Sequence, residues 1–311
     1  MGGKGEEEMT NRILVPLDGS SLAEQSLSCA VTLARELLAE VDLIRVIWVP
    51  PDILDILDES NSELNAFAAQ LEAEASRYLA ALVEELGDAG LHARHAVRRG
   101  PPADTILKYS EQAGIDQIVM ATHGYSGIKR WTHGSVAERV LQAARVPLLL
   151  ARVSEHVPAR DWRQPLALRR ILVPLDGSSM AEQILPTVTT VARALRAELV
   201  LFQVPFATAS GWVAGEWYAP SLGMFDTAQE VAQIYLNGVA DRLEGQDLPV
   251  STATSVGPVA ACIVQYAEAN AVDLIAMCTH GRTGLARWAL GSVADRILRA
   301  GTIPILLVRA Q

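Results

Sequence analysis

Residues Ile13–Gln25 read ILVPLDGSSLAEQ and residues Ile171–Gln183 read ILVPLDGSSMAEQ, one conservative change apart at an offset of 171 − 13 = 158. The segment THGYSG at Thr122–Gly127 is answered by THGRTG at Thr279–Gly284, and GSVAERVLQA from Gly134 by GSVADRILRA from Gly291, each at an offset of 157. A register held that far with one net deletion describes a duplicated domain, not a short-period solenoid. A chain of 311 residues accommodates two domains of about 100–200 residues each, and its 50% hydrophobic content supplies two cores. The expected organisation is a flexible N-terminus at 1–10, one copy at 11–152, a linker at 153–168 and a second copy at 169–311. Pro158, Pro165 and mixed charges interrupt the apolar pattern in the linker.

Within each copy, short apolar runs alternate with helical stripes. In the first, Arg12–Leu17 suits a strand buried on both faces, and Ala23, Leu27, Val31, Ala34 and Leu38 mark one face of a helix. The pattern predicts a strand over Val41–Val49, a helix over Leu64–Leu86, a weakly alternating strand over His92–Val97 and a helix over Ala103–Ala113. A strand over Gln117–Ala121, a helix over Val136–Ala144 and a strand over Pro147–Ala151 complete the copy, and the order repeats over Arg170–Val308. Such alternation implies an α/β fold: two tandem open-sheet domains, each a parallel sheet with helices on both faces. Ligands of open parallel sheets sit beyond the carboxyl ends of the strands, where strand order reverses.

The residues at those ends are therefore the candidates. The first strand runs into Pro16-Leu17-Asp18-Gly19-Ser20, and its repeat into Pro174-Leu175-Asp176-Gly177-Ser178. Each aspartate can accept hydrogen bonds from ribose or adenine donors, or can open the turn and cap the next helix. The fourth strand leads into a Gly-rich loop and a helix that opens at Gly134-Ser135, or Gly291-Ser292 in the repeat. Glycines let backbone N–H groups approach an anion, and the helix start adds unpaired donors and a positive dipole end. Ser135 with Glu138, and Ser292 with Asp295, also have the spacing of capping boxes. The loops are neither Walker A nor GxGxxG sequences, and no GxSxG nucleophile elbow occurs.

Several function classes are disfavoured. With 36 acidic against 26 basic residues and a net charge of −10, neither nucleic acid nor an anionic membrane is an expected partner. No run of about 18 apolar residues is long enough to span a bilayer. Residues Met1–Thr10 have no apolar signal core, and Glu6 spoils a myristoylation start at Gly2. Cys29, Cys262 and Cys278 form neither a disulfide framework nor a CxxC pair, so a reducing, cytoplasmic setting is expected. The six histidines lack ligand spacing, and no protein metal site is assigned. His123 and His280 precede loop glycines without a partner set for hydrolysis, so no catalytic residue is assigned. A turn-anchoring role is preferred for them.

The pairing of an ILVPLDGS start, a THGxxG loop, a GSVAxxxL helix and a closing PxLL strand resembles the universal stress protein family in tandem form, over nearly the whole chain. The resemblance implies a five-stranded parallel sheet in each copy, pairing of the two copies within the chain, and a role as a nucleotide-dependent stress-response regulator, and it leaves homodimerisation of the chain open. A nucleotide-free interaction module and a slow ATPase are the alternatives. The family's ATP-binding branch carries G-x2-G-x9-G-[ST]. Gly124 with Gly134-Ser135, and Gly281 with Gly291-Ser292, match its later part, while Ala121 and Cys278 stand where its first glycine would be. Carried over residue by residue, Pro16 and Pro174 would line the base, Asp18 and Asp176 would face ribose or adenine, and Val46 and Val200 would offer backbone contacts. Gly124, Gly127, Gly134 and Ser135, with Gly281, Gly284, Gly291 and Ser292, would hold the phosphates of ATP, and any Mg²⁺ would arrive with it.

Lys129-Arg130 and Arg287 fall in the loops, as terminal-phosphate ligands or solvated charges, and Trp131 and Trp288 beside them are expected to pack. The copies diverge after their second strands, with PPDILDIL at 50–57 against an aromatic, Gly-rich stretch from Phe206 to Phe225. These segments are either unlike lids over the two crevices or interface padding.

Overall fold

The computed structural model describes residues 11–48, 62–122, 135–152, 161–164, 166–205, 212–213, 216–217, 222–245, 247–279 and 291–310. The chain divides into two compact units, Met1–Leu166 and Ala167–Gln311.

In the first unit the strands are β1 (Arg12–Pro16), β2 (Glu40–Ile47), β3 (Ala93–Arg99), β4 (Gln117–Ala121) and β5 (Leu148–Ala151). All pair in parallel in the order β3-β2-β1-β4-β5. The helices between them are α1 (Ser21–Glu24), α2 (Leu27–Leu37), α3 (Ser62–Asp88), α4 (Pro102–Gln112) and α5 (Ser135–Ala143). Strands with helices on either side must be apolar on both faces. Accordingly Ile13, Leu14, Val15, Ile118, Val119 and Leu149 are almost wholly buried. The edge strand β3 instead carries exposed Arg94, Arg98 and Arg99, charges that blunt an open edge.

The second unit repeats this plan, with β6 (Arg170–Pro174), β7 (Glu198–Gln203), β10 (Val250–Thr254), β11 (Leu274–Cys278) and β12 (Ile305–Val308) in the order β10-β7-β6-β11-β12. Its helices are α6 (Ser179–Glu182), α7 (Leu185–Leu195), α8 (Leu222–Leu243), α9 (Val259–Ala269) and α10 (Ser292–Ala300). The doubly wound α/β expectation holds in both copies. In each, strand order reverses beside the first strand, between β1 and β4 and between β6 and β11.

Three local features were not expected. The single helix over Ala23–Leu38 is two helices, broken at Gln25-Ser26. There the Ser26 hydroxyl donates to the Ala23 carbonyl over 2.7 Å, and the Gln25 and Ser26 N–H groups reach back only three residues. The repeat shows why the break persists. Pro186, in the first turn of α7, has no N–H to continue a helix from α6. The stretch after β7 contains a two-residue antiparallel ribbon, β8 (Trp212–Val213) with β9 (Glu216–Trp217). Finally, part of the 153–168 segment packs on the first unit. Trp162 is buried, Arg163 reaches Glu85 at 2.6 Å, and the Leu166 N–H donates to Thr32 Oγ1 at 2.8 Å.

Residues 1–10, the loops carrying His123, Gly124, Gly127, Lys129, Arg130, Trp131 and Gly134, and those carrying His280, Gly281, Gly284, Arg287 and Trp288, lie outside the described residues, as do 50–57 and most of 206–221.

Candidate functional site

The turn that leaves β1 is built by its own residues. The Leu17 N–H makes the last sheet bond, 2.8 Å to the Ile44 carbonyl, and the chain then reverses at Gly19, whose φ of +86 disfavours any side chain. Asp18 Oδ1 accepts the Ser20 N–H at 2.9 Å, closing the turn, and Ser20 Oγ accepts the Ala23 N–H at 3.1 Å, capping α1. The repeat does the same. Asp176 Oδ1 accepts from the Ser178 N–H at 3.0 Å and the Ser178 hydroxyl at 2.6 Å, Ser178 caps α6, and Gly177 has φ +82. Each aspartate thus orders the turn, and the following serine, not the aspartate, is the cap. Asp18 is exposed and Asp176 half-buried, at the carboxyl rim of the sheet, next to half-buried Pro16 and Pro174.

At the second strand the two copies share one register, Leu14 pairing with Asp42 and Leu172 with Val200. Ile44 faces β1 with its carbonyl, and Ile47 faces the other way, accepting the Gly100 N–H. Backbone groups alternate sides along a strand, so Val46 directs its N–H and C=O to the β1 side, where β1 has already turned away into Asp18-Gly19-Ser20. In the second unit Phe202 plays the part of Ile44, accepting from the Leu175 N–H at 2.8 Å, and Gln203 faces β10. The counterpart of Val46 is therefore Val204, just past the end of β7. Val200 lies inside the strand, 2% exposed, paired with Leu172 and Ser251, and its backbone belongs to the sheet. The expectation that Val200 offers backbone contacts at the rim is corrected by this register. The position of Val200 in the first copy is held by Asp42, a fully buried carboxylate far from the rim that accepts from Arg12, Arg94 and Tyr109 at 2.7, 2.8 and 2.8 Å.

The fourth strands end in buried Ala121 and Cys278. Burial pushes the Cys278 thiol up to about 11; the Ile184 backbone hydrogen bond opposes that shift, and the Asp176 charge adds to it. β6 and β11 are parallel neighbours in the sheet, so Asp176, past the end of one, and Cys278, at the end of the other, lie at the same rim. Beyond Cys278, the Gly291 N–H donates to the Thr279 carbonyl at 2.8 Å and pins the start of α10 to the end of β11. Gly291 is itself the N-cap and makes no side-chain cap, while Ser292 is exposed in the first helical position. The capping box anticipated at Ser292 and Asp295 is not formed, because a serine past the cap cannot bond back to its own turn, and Asp295 pairs instead with Arg299 at 2.8 Å. The first N–H groups of α10 have no carbonyl partner within the helix and receive no side-chain cap from Gly291. Ser135 is likewise the first residue of α5.

Around each crevice stands a pair of residues that motif reading missed. The Tyr78 hydroxyl donates to Glu24 at 2.8 Å, and in the repeat the Tyr235 hydroxyl donates to Glu182 at 2.8 Å, with Arg242 at 2.5 Å from the same carboxylate. Burial, then the carboxylate, pushes both phenols above the ordinary tyrosine range. The glutamates lie 158 apart and the tyrosines 157 apart, so both follow the repeat register, and that was the available signal. Arg45 lies 5.4 Å over the Tyr78 ring, and the residue matching it is Gln203.

The sequence model of the universal stress protein family matches residues 9–152 and 167–309. The chain is 28% identical over 148 residues to universal stress protein YxiE of Bacillus subtilis, covering 46% of this chain and 100% of that one. It is 32% identical over 146 residues to a universal stress protein of Methanocaldococcus jannaschii, covering 47% and 84%. A universal stress protein of Synechocystis is 23% identical over 317 residues, covering 96% and 99%. The crystal structure of a universal stress protein from Archaeoglobus fulgidus superposes with a TM-score of 0.65 at 20% identity, covering 96% of each chain, a likeness of fold.

Proposed function

The chain belongs to the universal stress protein family, as two fused copies, and from that premise we propose that each copy binds an adenine nucleotide at the carboxyl rim of its sheet. The observation that carries this reading is the start of α10, tied to the Thr279 carbonyl at the end of β11 and opened by Gly291, a cap residue with no side chain, beside the neighbouring strand end that leads to Asp176. A helix start supplies donors and positive potential for phosphate, and a carboxylate nearby supplies an acceptor for ribose or base. In this reading Asp18 and Asp176 face the sugar, Pro16 and Pro174 line the base, and Val46 and Val204 present backbone to its edge. The Gly124, Gly127, Gly134 and Ser135 set and the Gly281, Gly284, Gly291 and Ser292 set hold phosphate. Magnesium would come with ATP, held by its phosphates; among the described residues no group of three His, Cys, Asp or Glu side chains could hold an ion.

Bound nucleotide would act by biasing conformation or partner choice in a stress response, with any hydrolysis slow. No helix among the described residues is long and apolar enough to cross a membrane, and a cytoplasmic setting is part of the proposal. A second reading, a nucleotide-free interaction module, draws on Cys278, whose buried side chain fills the strand end where the ATP-binding motif has glycine.

Mass spectrometry of small molecules released on denaturing freshly purified protein separates the two. Adenine nucleotide near one or two per chain supports the first reading. An empty protein that also gives no calorimetric signal with MgATP supports the second.

A further inference from the structure

We propose that Gln203 reads a ribose hydroxyl in the second crevice, and that Arg45 in the matching place makes the first crevice blind to it. The inference rests on the nucleotide reading above. Gln203 is the last residue of β7, and its Oε1 is buried without a hydrogen-bond partner. A buried acceptor left unpaired costs roughly 1–3 kcal/mol, so natural proteins rarely keep one unless something else occupies it. Its position says what that something is. Gln203 Nε2 would lie 3.6 Å from a Cβ on Gly177, so the amide packs against the turn that carries Asp176, on the same rim as Val204. An acceptor requires a donor, and an adenine nucleotide carries donors only on the base amino group and the sugar hydroxyls. The backbone of Val204, beyond the Leu175–Phe202 bond on the β6 side of β7, suits the base, and the turn beside Asp176 and Gln203 suits the sugar.

The first crevice has the opposite chemistry at this point. The Arg45 guanidinium would stand 3.1 Å from a Cβ on Gly19, lies 5.4 Å over the Tyr78 ring, and shares the surroundings of that phenol with Glu24 and Asp18. A guanidinium has five donors and no acceptor. It cannot accept from a ribose hydroxyl. The two copies thus share the turn, the Tyr–Glu pair and the strand register, and differ in one polar side chain: Arg45 offers donors alone, and Gln203 offers an acceptor as well.

The test is calorimetric titration of the full chain with ATP, 2′-deoxyATP and 3′-deoxyATP, for the natural protein, Gln203→Met and Arg45→Gln. One lost hydrogen bond corresponds to a loss of affinity of roughly five- to tenfold. The expected result is one binding phase that weakens by that factor when a single ribose hydroxyl is removed. Gln203→Met should weaken ATP in that phase equally and erase its discrimination, and Arg45→Gln should create discrimination in the other phase. ATP binding with discrimination unchanged in both variants overturns the role of Gln203. No ATP binding by the natural protein overturns the nucleotide reading itself, and this inference with it.

Discussion

The hydroxyl of Tyr78, on the long helix after β2, donates to the carboxylate of Glu24, on the short helix after β1, across 2.8 Å, and Tyr235 and Glu182 repeat the contact in the second copy. It ties the helix that follows the Asp-Gly-Ser turn to the helix covering that face of the sheet, so the rim of each crevice is held by a bond between elements distant in sequence.

Tyr78→Phe should therefore lower stability by about 1 kcal/mol, the typical worth of one such bond, read as a fall of roughly 2–4 °C in the melting temperature. Tyr235→Phe should behave alike. Both phenols have pKa values raised on folding, chiefly by burial. Their contribution is whole below about pH 10, where the unfolded phenol ionises, and falls away as pH rises toward the folded-state values. Denaturant melts at pH 8 and pH 11 check the sign: the natural protein should lose more stability over that interval than either variant.

Asp42→Val should cost about 2–3 kcal/mol in urea unfolding of the natural chain. It strands Arg12 and Arg94, which lie 2.7 and 2.8 Å from the buried carboxylate. Removing one member of a fully buried pair typically costs about 3–5 kcal/mol, and half-exposed Arg94 regains part of its hydration. Adding Arg94→Ser, which copies the Val200–Ser251 pairing of the other unit, should recover part of the loss.

Leu38 and Arg196 end equivalent helices in the left-handed conformation, each with φ 52, and Leu38 is 84% exposed. Leu38→Gly should stabilise by about 0.5–1 kcal/mol, because glycine adopts this conformation without Cβ strain and almost no burial is lost. A lower melting temperature would contradict this.

Cys278 and Cys29 should resist iodoacetamide in the folded protein, with burial pushing their thiols up to about 11 and about 12. Peptide mapping after brief alkylation at pH 8 should find both unmodified, and both modified once urea is present. Modification of Cys278 should rise only as pH approaches 11.

The duplication, the α/β class, the strand positions and the Asp-Gly-Ser turns were legible in the residues themselves, because they depend on local chemistry. A run such as ILVP buries both faces wherever it sits, and a glycine between Asp18 and Ser20 reverses the chain by its own conformational freedom. Register was less legible. Val200 looked like a rim residue because nothing in the apolar run LVLF marks where the neighbouring strand stops, and only its pairing with Leu172 places it inside the sheet. Nor could periodicity reveal that Arg45 and Gln203 face equivalent turns, at Gly19 and at Gly177, or that Tyr78 finds Glu24, 54 positions earlier. Those relationships join side chains that are distant in sequence, and they exist only once parallel pairing and helix packing bring the carboxyl ends of the strands to one rim.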